Sequence, residues 1–325
     1  MAVYTEVSDE ALCAFLADYP LGELRAFRGI AEGVENSNYA LKTTEGDYIL
    51  TLYEKRVDPT ELPWFLGLMQ HLVARGLSAP MPVAGRDGVA LRELAGRPAA
   101  ICTFLPGVWP RRVRPEHCGP LGAALAELHL AGTDYTAVRP NGLGVASWAP
   151  LLERCRADGE SVQAGLIAEL DAELAGILAG WPKAGTLPSG QIHADLFPDN
   201  VFFLEDGGAP RVSGLIDFYF ACTDLLAYDV AVCLNAWCFE PDRSFNVTKA
   251  RSLLREYSAR RPLSAEERAA LPALCRGAAL RFLLTRLYDW VNTPKGAMVT
   301  RKDPLEYLYK LRFFAQATGP ESIGA

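Results

Sequence analysis

The spacing of apolar residues along the chain changes near residue 105. Before that point, short apolar or alternating runs separated by turn residues predict five strands and two helices. The helices are expected at 8–18 and 60–75, and the strands at 24–28, 37–43, 48–53, 89–94 and 98–104. Gly46 lies in the turn between the second and third strands, where a hairpin needs a residue that accepts a positive φ. The pattern predicts a β-rich N-terminal lobe.

Beyond residue 105 the pattern becomes helical. Leu121, Leu125 and Leu128 recur at a spacing that places them on one face of a helix. Similar periodicity predicts helices at 148–156, 160–179, 224–238, 246–259, 266–291 and 304–317, with strands and loops in 190–217. A Pro-Gly pair at 106–107 marks the change. We therefore expect an α+β chain of two lobes, 1–105 and 106–325, of which the second is mainly helical.

Composition narrows the class of protein. The chain has 325 residues, 50% of them apolar and 22% charged, which is a globular composition with ample material for a core. A net charge of −7 gives it no electrostatic attraction for nucleic acid or for an anionic membrane surface. The longest apolar run, 225–239, is too short and too polar to span a bilayer.

Cysteine and histidine usage argues against a metal centre of the zinc type. The eight cysteines form no Cys-x-x-Cys pair, and there are only four histidines. The first ten residues carry three acids and no apolar run, so no signal peptide is expected. These features favour a reduced, cytoplasmic enzyme, and its oligomeric state is left open.

One segment of the second lobe carries most of the candidate chemistry. It reads HADLFPDNVFF over 193–203, and an Ile-Asp-Phe triplet centred on Asp217 follows Asn200 after seventeen residues. The two apolar stretches would form a hairpin with acidic and amide groups at its ends. Phosphoryl transfer uses such groups, because one carboxylate accepts the proton of the attacking hydroxyl while oxygen ligands hold Mg²⁺ against the phosphates. A plain turn is the alternative, since Asp and Asn favour turns.

The spacing His-x-Asp-x₄-Asn followed by Ile-Asp-Phe resembles the catalytic loop and metal-binding Asp of kinases. Ala194, and Ile-Asp-Phe in place of Asp-Phe-Gly, are similar to the aminoglycoside phosphotransferase and choline kinase group. The resemblance implies a bilobal protein-kinase-like fold that uses ATP and Mg²⁺. It also implies that Asp195 is the catalytic base and that His193 shapes the loop. Asn200 and Asp217 would be the Mg²⁺ ligands.

The phosphate-covering loop of such a fold is less distinct. The run GIAEGVENSNY over 29–39 lies between the first two strands, where a kinase places that loop. Its candidate phosphate-binding residues are Gly33, Asn36, Ser37 and Asn38, which offer close backbone approach and hydrogen-bond donors. A polar hairpin loop is the alternative interpretation.

A kinase normally places a phosphate-binding lysine on its third strand, but Thr51 stands at that position. Lys42 and Lys55 are the candidate substitutes, and a solvent-facing lysine is the alternative for each. Glu61 is the candidate carboxylate partner of that lysine. An exposed first-turn glutamate, favoured by the helix dipole, is the alternative for Glu61.

Two acids, Asp224 and Asp229, follow the strand of Asp217 near the start of a predicted helix. In the resembling family an acid in this region braces the catalytic loop. Helix capping is the alternative interpretation for Asp224.

Several longer runs are similar to the bacterial homoserine kinases of this fold. They are the loop at 29–39 with YILTLYE at 48–54, the segment at 193–203, LRFLLTRLYDW at 280–290 and KDPLEY at 302–307. The similarity runs over nearly the whole chain and includes Thr51, so a threonine there is compatible with an active kinase. It implies that L-homoserine is the substrate, converted with ATP to O-phospho-L-homoserine on the way to threonine.

Homoserine is a zwitterion, so its carboxylate requires a cation such as Arg and its ammonium group requires an acid. Arg286 and Asp289 share one face of a predicted helix near the C-terminus, whereas Arg281 is displaced from that face. We expect Arg286 and Asp289 to bind the substrate. A structural ion pair within the helical lobe is the alternative for each.

Two other functions remain open at this point. A kinase for choline, an aminoglycoside, methylthioribose or hydroxylysine would use the same loop on another hydroxyl. A silent nucleotide-binding kinase fold would be expected to have lost catalytic groups, but Asp195, Asn200 and Asp217 are all present.

Overall fold

The computed structural model describes residues 5–30, 36–54, 58–205, 207–293 and 301–325. The chain divides into two compact units. The first contains the described residues up to Gly107 together with Ser213–Tyr219, and the second contains Val108–Val212 and Phe220–Ala325. The sequence pattern places a boundary near residue 105 but gives no sign that a short later segment returns to the first unit.

The first unit is built on a five-stranded antiparallel sheet. Its strands are β1 (Leu24–Gly29), β2 (Ser37–Thr43), β3 (Asp47–Leu52), β4 (Arg92–Leu94) and β5 (Arg97–Thr103). Their order across the sheet is β1-β2-β3-β5-β4, and every pairing is antiparallel. Short turns join β2 to β3 and β4 to β5, and the chain between β3 and β4 contains a helix.

Two helices accompany this sheet, α1 (Asp9–Leu16) and α2 (Leu62–Ala74). Ser8 caps α1, because its hydroxyl accepts a hydrogen bond from Ala11 N at 3.2 Å. The apolar core combines α1 with inward-facing strand residues, among them Leu12, Phe15, Leu16, Leu41, Leu50 and Ile101. Burial of these side chains stabilises the unit through the hydrophobic effect.

The segment Ser213–Tyr219 is fixed to the first unit by main-chain and side-chain contacts. Leu215 N donates to the carbonyl of Ser78 at 2.9 Å, which ties the segment to the chain after α2. The hydroxyl of Tyr219 lies 3.2 Å from that of Tyr53, whose ring is buried while that of Tyr219 is half-buried. The acid of the Ile-Asp-Phe triplet therefore belongs to the β-rich unit, although it comes late in the sequence.

The second unit is mainly helical. Its helices are α3 (Pro115–Ala131), α4 (Val145–Gly159), α5 (Leu166–Gly180), α6 (Leu226–Trp237), α7 (Val247–Arg260), α8 (Ala265–Asn292) and α9 (Leu305–Ala315). Helix α8 is the longest, and α4, α5, α6 and α9 all pack against it. Helix α6 is buried along almost its whole length. None of the helices in the described ranges combines the length and apolarity needed to cross a membrane.

Short strands surround the segment that carries the candidate chemistry. Strands β6 (Ser189–Ile192) and β9 (Cys222–Leu225) pair antiparallel in the second unit. Strand β7 (Val201–Leu204) follows the segment, and β8 (Arg211–Leu215) leads towards Asp217. The two apolar stretches expected to flank the acidic and amide groups are therefore strands.

The expected helices and strands are confirmed to within a few residues in most places, and the strand expected at 89–94 is shorter. It covers only Arg92–Leu94, because the residues before it form a turn. Gly85 N donates to the carbonyl of Val89 at 2.9 Å, and Gly88 has a φ of +84° inside that turn.

The helix expected at 224–238 begins at Leu226, because Asp224 lies in β9. The carboxylate of Asp224 accepts a hydrogen bond from the side-chain amide of Asn141 at 2.7 Å. No side chain caps α6, whose N-cap residue is Leu225. The capping interpretation of Asp224 is therefore wrong, because a strand pairing with β6 occupies the position where the helix was expected to start.

Helices α3 and α7 approach so closely that one position requires glycine. A Cβ atom on Gly122 of α3 would collide with the carbonyl oxygen, carbonyl carbon and Cα of Leu253 on α7. These are main-chain atoms of a helix, so they cannot move aside as a flexible side chain does.

We predict that Gly122→Ala lowers the urea midpoint of unfolding, at a cost of about 1–3 kcal/mol for overpacking a fixed contact. Gly180→Ala is the matched control, because Gly180 is also helical and a Cβ there meets nothing within 4 Å. The control should be neutral or slightly stabilising, since alanine favours helix. Equal midpoints for the two variants would contradict the close approach of α3 and α7.

Candidate active site

The segment 193–200 forms a tight loop between β6 and β7. The main-chain carbonyl of Asp195 accepts hydrogen bonds from Phe197 N at 2.8 Å and from the side-chain amide of Asn200 at 2.8 Å. The main-chain N–H of Asp195 donates to Nδ1 of the fully buried His193 at 3.3 Å. These bonds fix the backbone on both sides of Asp195 and leave its carboxylate partly exposed.

One buried carboxylate holds the main chain immediately before Asp195. Asp229, on α6, accepts hydrogen bonds from His193 N at 2.7 Å and from Ala194 N at 2.8 Å. Ala194 has a φ of +61°, a left-handed conformation that a residue with a Cβ adopts only when its surroundings impose it. The Asp229 carboxylate supplies that constraint. The brace expected in this region is therefore Asp229.

A chain of polar side chains extends from Asp229 into the helical unit. His129 Nε2 lies 3.2 Å from Asp229 Oδ2, and His129 Nδ1 lies 2.7 Å from the hydroxyl of Tyr257. That hydroxyl accepts a hydrogen bond from Arg261 at 3.0 Å, and Arg261 also pairs with Glu267 at 2.9 Å. One histidine tautomer satisfies the whole chain, with Nε2–H donating to Asp229 and Nδ1 accepting from Tyr257. The position of α6 is thereby linked to α3, α7 and α8.

The Asp229 carboxyl is a buried charge with enough donors to remain ionised. Burial alone would raise its pKa. The interactions with His129 and with the main-chain N–H of His193 outweigh burial, so the pKa lies below its ordinary value. Charge-assisted hydrogen bonds of this kind are stronger than neutral ones, which suits the strained backbone that they hold.

Helices α6 and α8 also contact the loop beyond Asp195. Trp237 on α6 donates its indole N–H to the carbonyl of Leu196 at 2.8 Å. The ring of Phe197 packs edge-to-face against Phe282 of α8, with centroids 4.9 Å apart. The loop is thus positioned by α6 and α8 as well as by its own hydrogen bonds.

A buried arginine lies beside the Asp195 carboxylate. Nη1 of Arg281, on α8, is 3.5 Å from Asp195 Oδ1, and only 5% of the Arg281 surface is exposed. The guanidinium carbon sits 3.8 Å from the centroid of the Phe282 ring and 5.5 Å from that of Phe220. At 3.5 Å the pair is at the long limit of a hydrogen bond.

Asp217 lies in the first unit and has an unusual backbone. Its φ is +65°, again in the left-handed region, which aspartate tolerates better than most residues. Phe218, the next residue, is buried, and Tyr219 is anchored against Tyr53. The triplet therefore has a defined conformation imposed by its packing.

The polar residues expected to contact phosphates are used in two different ways. The hydroxyl of Ser37 donates to Glu54 at 2.8 Å, and Asn36 Oδ1 accepts from Glu54 N at 3.3 Å. Asn38 Oδ1 instead accepts from the hydroxyl of Thr51 at 2.8 Å, across the β2–β3 pairing. The structure therefore brings Asn38 to the strand position where other kinases have lysine, and it places Asn36 and Ser37 against Glu54.

Lys42 lies on the same face of β2 as Asn38, but four residues along a strand separate them by about 13 Å. Its side chain is exposed. Glu61 ends the 3₁₀ turn before α2 and does not cap that helix with its side chain. Lys55 and Gly33 lie outside the described residues. The nucleotide roles expected for Lys42, Lys55, Glu61 and Gly33 stay predictions.

The two residues expected to bind the substrate differ in their surroundings. Arg286 donates to Glu306 Oε2 at 2.6 Å and to the carbonyl of Asp303 at 3.3 Å, and its guanidinium lies over Tyr307. Asp289, one turn further along α8, is exposed. The charge of Arg286 is thus already paired within the helical unit, although the expected substrate role itself stays a prediction.

Sequence reasoning assigned no role to His129 or Tyr257 and set Arg281 aside. Each meets its partner over a long stretch of chain, with 100 residues between His129 and Asp229 and 86 between Arg281 and Asp195. Local periodicity cannot detect such contacts. The one available signal is that His129 and Arg281 are polar residues inside otherwise apolar helical runs.

We predict that Asp229→Asn destabilises the protein by about 3–5 kcal/mol, because an amide in place of the charge leaves buried donors without an acceptor. The main-chain amides of residues 193–195 should also exchange hydrogen faster in Asp229→Asn than in the parent protein. Asp224→Asn is the control, since Asp224 also accepts hydrogen bonds but is only partly buried. If the two variants unfolded at the same urea midpoint, Asp229 would not be the brace.

The ion pairs of Glu306 with Lys310 and Arg286 should make the stability of the protein depend on pH in acid. Burial alone would raise the pKa of Glu306, but Lys310 and Arg286 outweigh it and lower the pKa from 4.5 to about 2. Because the folded pKa is below the ordinary value, this stabilisation is present above pH 4.5 and is lost as the pH falls towards 2. Solvent screens the pair, since 48% of the Glu306 side chain is exposed, so the effect should be modest.

Thermal unfolding of Glu306→Gln should therefore show a lower midpoint than the parent protein near neutral pH and a shrinking difference as the pH falls below 4.5. Glu321→Gln is the control, because Glu321 is exposed and forms no ion pair with any described residue. A difference that stays constant with pH would contradict the lowered pKa of Glu306.

Comparisons with known proteins agree with this fold. Residues 26–263 match the phosphotransferase enzyme family. The homoserine kinase of Acidiphilium cryptum strain JF-5 is 66% identical over 324 residues and covers 100% of both chains. The homoserine kinase of Gluconacetobacter diazotrophicus is 67% identical over 324 residues, also with 100% of both chains.

Among solved structures, an amicoumacin kinase in complex with AMP-PNP, Ca²⁺ and Ami has a TM-score of 0.67. It is 15% identical in sequence and covers 96% of this chain and 95% of its own, so it bears on the fold alone. The expected α+β kinase-like fold is confirmed. With a family match over most of its length and relatives that are two-thirds identical from end to end, the chain belongs to the homoserine kinases of the phosphotransferase enzyme family.

Proposed function

We propose that this protein transfers the γ-phosphoryl group of ATP to the side-chain hydroxyl of L-homoserine, giving O-phospho-L-homoserine and ADP, a step towards threonine. The observation that carries the proposal is the braced loop that presents Asp195, in a chain 66% and 67% identical over its full length to two homoserine kinases. A mostly β unit and a mostly helical unit supply the two lobes that such a reaction uses.

Asp195 is the base in this proposal. Its carboxylate remains partly exposed, while the main chain on either side is fixed. The hydroxyl oxygen of homoserine attacks the γ-phosphorus, the bond from that phosphorus to the β–γ bridging oxygen breaks, and ADP leaves with that bond's electron pair. The hydroxyl proton passes to Asp195. His193 keeps its proposed role as a buried residue that shapes the loop.

Asn200 and Asp217 are the proposed Mg²⁺ ligands, and the donor set suits that ion. The side-chain nitrogen of Asn200 is used by the Asp195 carbonyl, so its oxygen is the atom left for a cation. Mg²⁺ prefers oxygen ligands and is commonly held by one or two protein groups plus substrate phosphates. The ion would offset negative charge on the phosphates during transfer.

The first unit supplies the proposed nucleotide contacts. We assign residues 1–105 to nucleotide binding, with Asn36, Ser37 and Asn38 in the loop before β2 and within it. The Asn38–Thr51 hydrogen bond supports an arrangement in which an amide and a hydroxyl replace the usual lysine at this strand position. Lys42 and Lys55 remain the proposed cationic partners of the phosphates, with Glu61 as a carboxylate partner.

The acceptor and the setting are also part of the proposal. The acceptor-binding role falls to residues 106–325, which contain the Asp195 loop and the helices packed on it. A cytoplasmic setting is consistent with eight cysteines that are all free thiols. The net charge of −7 offers no attraction for nucleic acid or for an anionic membrane.

The decisive test measures ADP release by the purified protein with ATP and Mg²⁺ over a panel of acceptors: L-homoserine, choline, hydroxylysine, methylthioribose and an aminoglycoside. We predict turnover with L-homoserine and a fall in kcat of at least about 1000-fold in Asp195→Asn, because the variant cannot accept the proton. Asp199→Asn is the matched control, since Asp199 is an exposed acid of the same loop.

Two results would overturn parts of the proposal. Turnover of another hydroxyl in preference to homoserine would retain the kinase chemistry but remove the assigned acceptor. An Asp195→Asn variant that folds and retains parent activity would show that Asp195 is not the base.

A further inference from the structure

Arg281 is poorly paired for a buried arginine. Its long contact with Asp195 is its only hydrogen bond or ion pair to any residue that the structure describes. Arg261, by contrast, pairs with Glu267 at 2.9 Å and Tyr257 at 3.0 Å. No nitrogen of Arg281 is a fully buried atom without a partner, so the N–H groups that Asp195 does not use still reach solvent. A largely buried guanidinium with solvent-accessible N–H groups beside the proposed base is placed to bind an anionic group of a ligand.

The guanidinium is oriented by aromatic rings rather than by acids. It stacks at 3.8 Å from the centroid of Phe282 and at 5.5 Å from that of Phe220. Stacking holds the plane of the group while leaving its N–H edge available. A planar fork held in this way suits a carboxylate, which arginine can bind through two parallel hydrogen bonds.

A buried hydroxyl without a partner lies next to this arrangement. Tyr307, on α9, is fully buried, and its hydroxyl forms no hydrogen bond within the described part of the chain. Its ring packs against Phe282, with centroids 5.2 Å apart, on which Arg281 also stacks. Burial raises the pKa of Tyr307, and four charges also act on it, in decreasing order Arg286, Glu306, Asp195 and Arg281. An unpaired buried hydroxyl is unfavourable in the free protein, so it too indicates a missing partner.

We propose that Arg281, with the hydroxyl of Tyr307, binds the α-carboxylate of the amino-acid acceptor and so selects homoserine over amino alcohols. The inference rests on the proposed function, because it assumes an acceptor that carries a carboxylate. Only two methylene groups separate the hydroxyl of homoserine from its α-carbon, so a hydroxyl at Asp195 keeps the carboxylate near the neighbouring Arg281. Arg286, whose charge is already paired with Glu306, is thereby replaced as the carboxylate-binding residue.

The test pairs one substitution with one change of substrate. 3-Aminopropan-1-ol has the same hydroxyl and ammonium group as homoserine but lacks the carboxylate. In Arg281→Met, kcat/KM for L-homoserine should fall about 100-fold, while kcat/KM for 3-aminopropan-1-ol should stay the same or rise. 4-Hydroxybutyrate, which keeps the carboxylate, should lose affinity as a competitor of homoserine in the same variant.

Two more variants separate binding from structure. Tyr307→Phe should lower kcat/KM for homoserine about tenfold without lowering the unfolding midpoint, because the lost hydroxyl has no partner in the free protein. Arg276→Met is the matched control, since Arg276 lies on the same helix and pairs with Glu173 at 2.7 Å. Arg276→Met should leave the ratio of kcat/KM for L-homoserine to kcat/KM for 3-aminopropan-1-ol unchanged.

If Arg281→Met does not fold, Arg281→Lys is the substitute. Lysine keeps the positive charge but lacks the planar guanidinium, so kcat/KM should fall less and still fall selectively for homoserine.

The failures can be told apart. If the parent protein does not phosphorylate homoserine, the proposed function falls and this subsite falls with it. If the parent is active but Arg281→Met loses equal activity on both alcohols, Arg281 acts through Asp195 or the phosphoryl group, and only the subsite is wrong. A selective loss of homoserine activity in Arg286→Met, with Arg281→Met unaffected, would move the carboxylate site to Arg286.

Discussion

The buried carboxylate of Asp229 is the interaction on which the geometry of the candidate active site depends. It accepts two consecutive main-chain N–H groups and thereby stabilises a left-handed alanine directly before Asp195. Ala194 cannot stabilise this conformation itself, because its methyl side chain has no hydrogen-bonding group. Because His129 and Tyr257 extend the same network to α3 and α7, the packing of these helices sets the position of the loop. This is why Gly122, which permits the close α3–α7 approach, matters to a site that it does not touch.

Two buried charges in the second unit follow opposite rules. Asp229 is surrounded by donors, so its ionised form is stabilised and the loop is rigid. Arg281 has one long contact, and its other N–H groups reach solvent. The first arrangement is what a structural charge requires, and the second leaves a positioned cation available to a ligand. The contrast identifies the role of each residue better than burial does, since both are nearly inaccessible.

Much of the fold could be predicted from the sequence, because its helices and strands have clear periodicity and turn residues. The loop at 193–200 could be singled out from HADLFPDN and the later Ile-Asp-Phe, and its catalytic role stays a proposal. The role of Arg281 was not, because the whole stretch 277–284 of α8 is buried, and a helix buried on all sides gives no polar face to indicate which residues meet the loop. The Ser37–Glu54 contact was equally hidden, since a polar loop residue has the same appearance whether it binds phosphate or a neighbouring acid.

The proposed chemistry adds a reason for an acceptor carboxylate beyond binding. Asp195 is the sole acid beside Arg281 among the residues described, and it becomes neutral when it takes the proton of the attacking hydroxyl. An acceptor without a carboxylate would leave a buried guanidinium facing a neutral acid as the reaction proceeds, which is costly in a poorly solvated site. Homoserine brings its own negative charge and keeps the guanidinium paired throughout. Homoserine should therefore differ from acceptors without a carboxylate in kcat as well as in KM, because its carboxylate is needed most when Asp195 loses its charge.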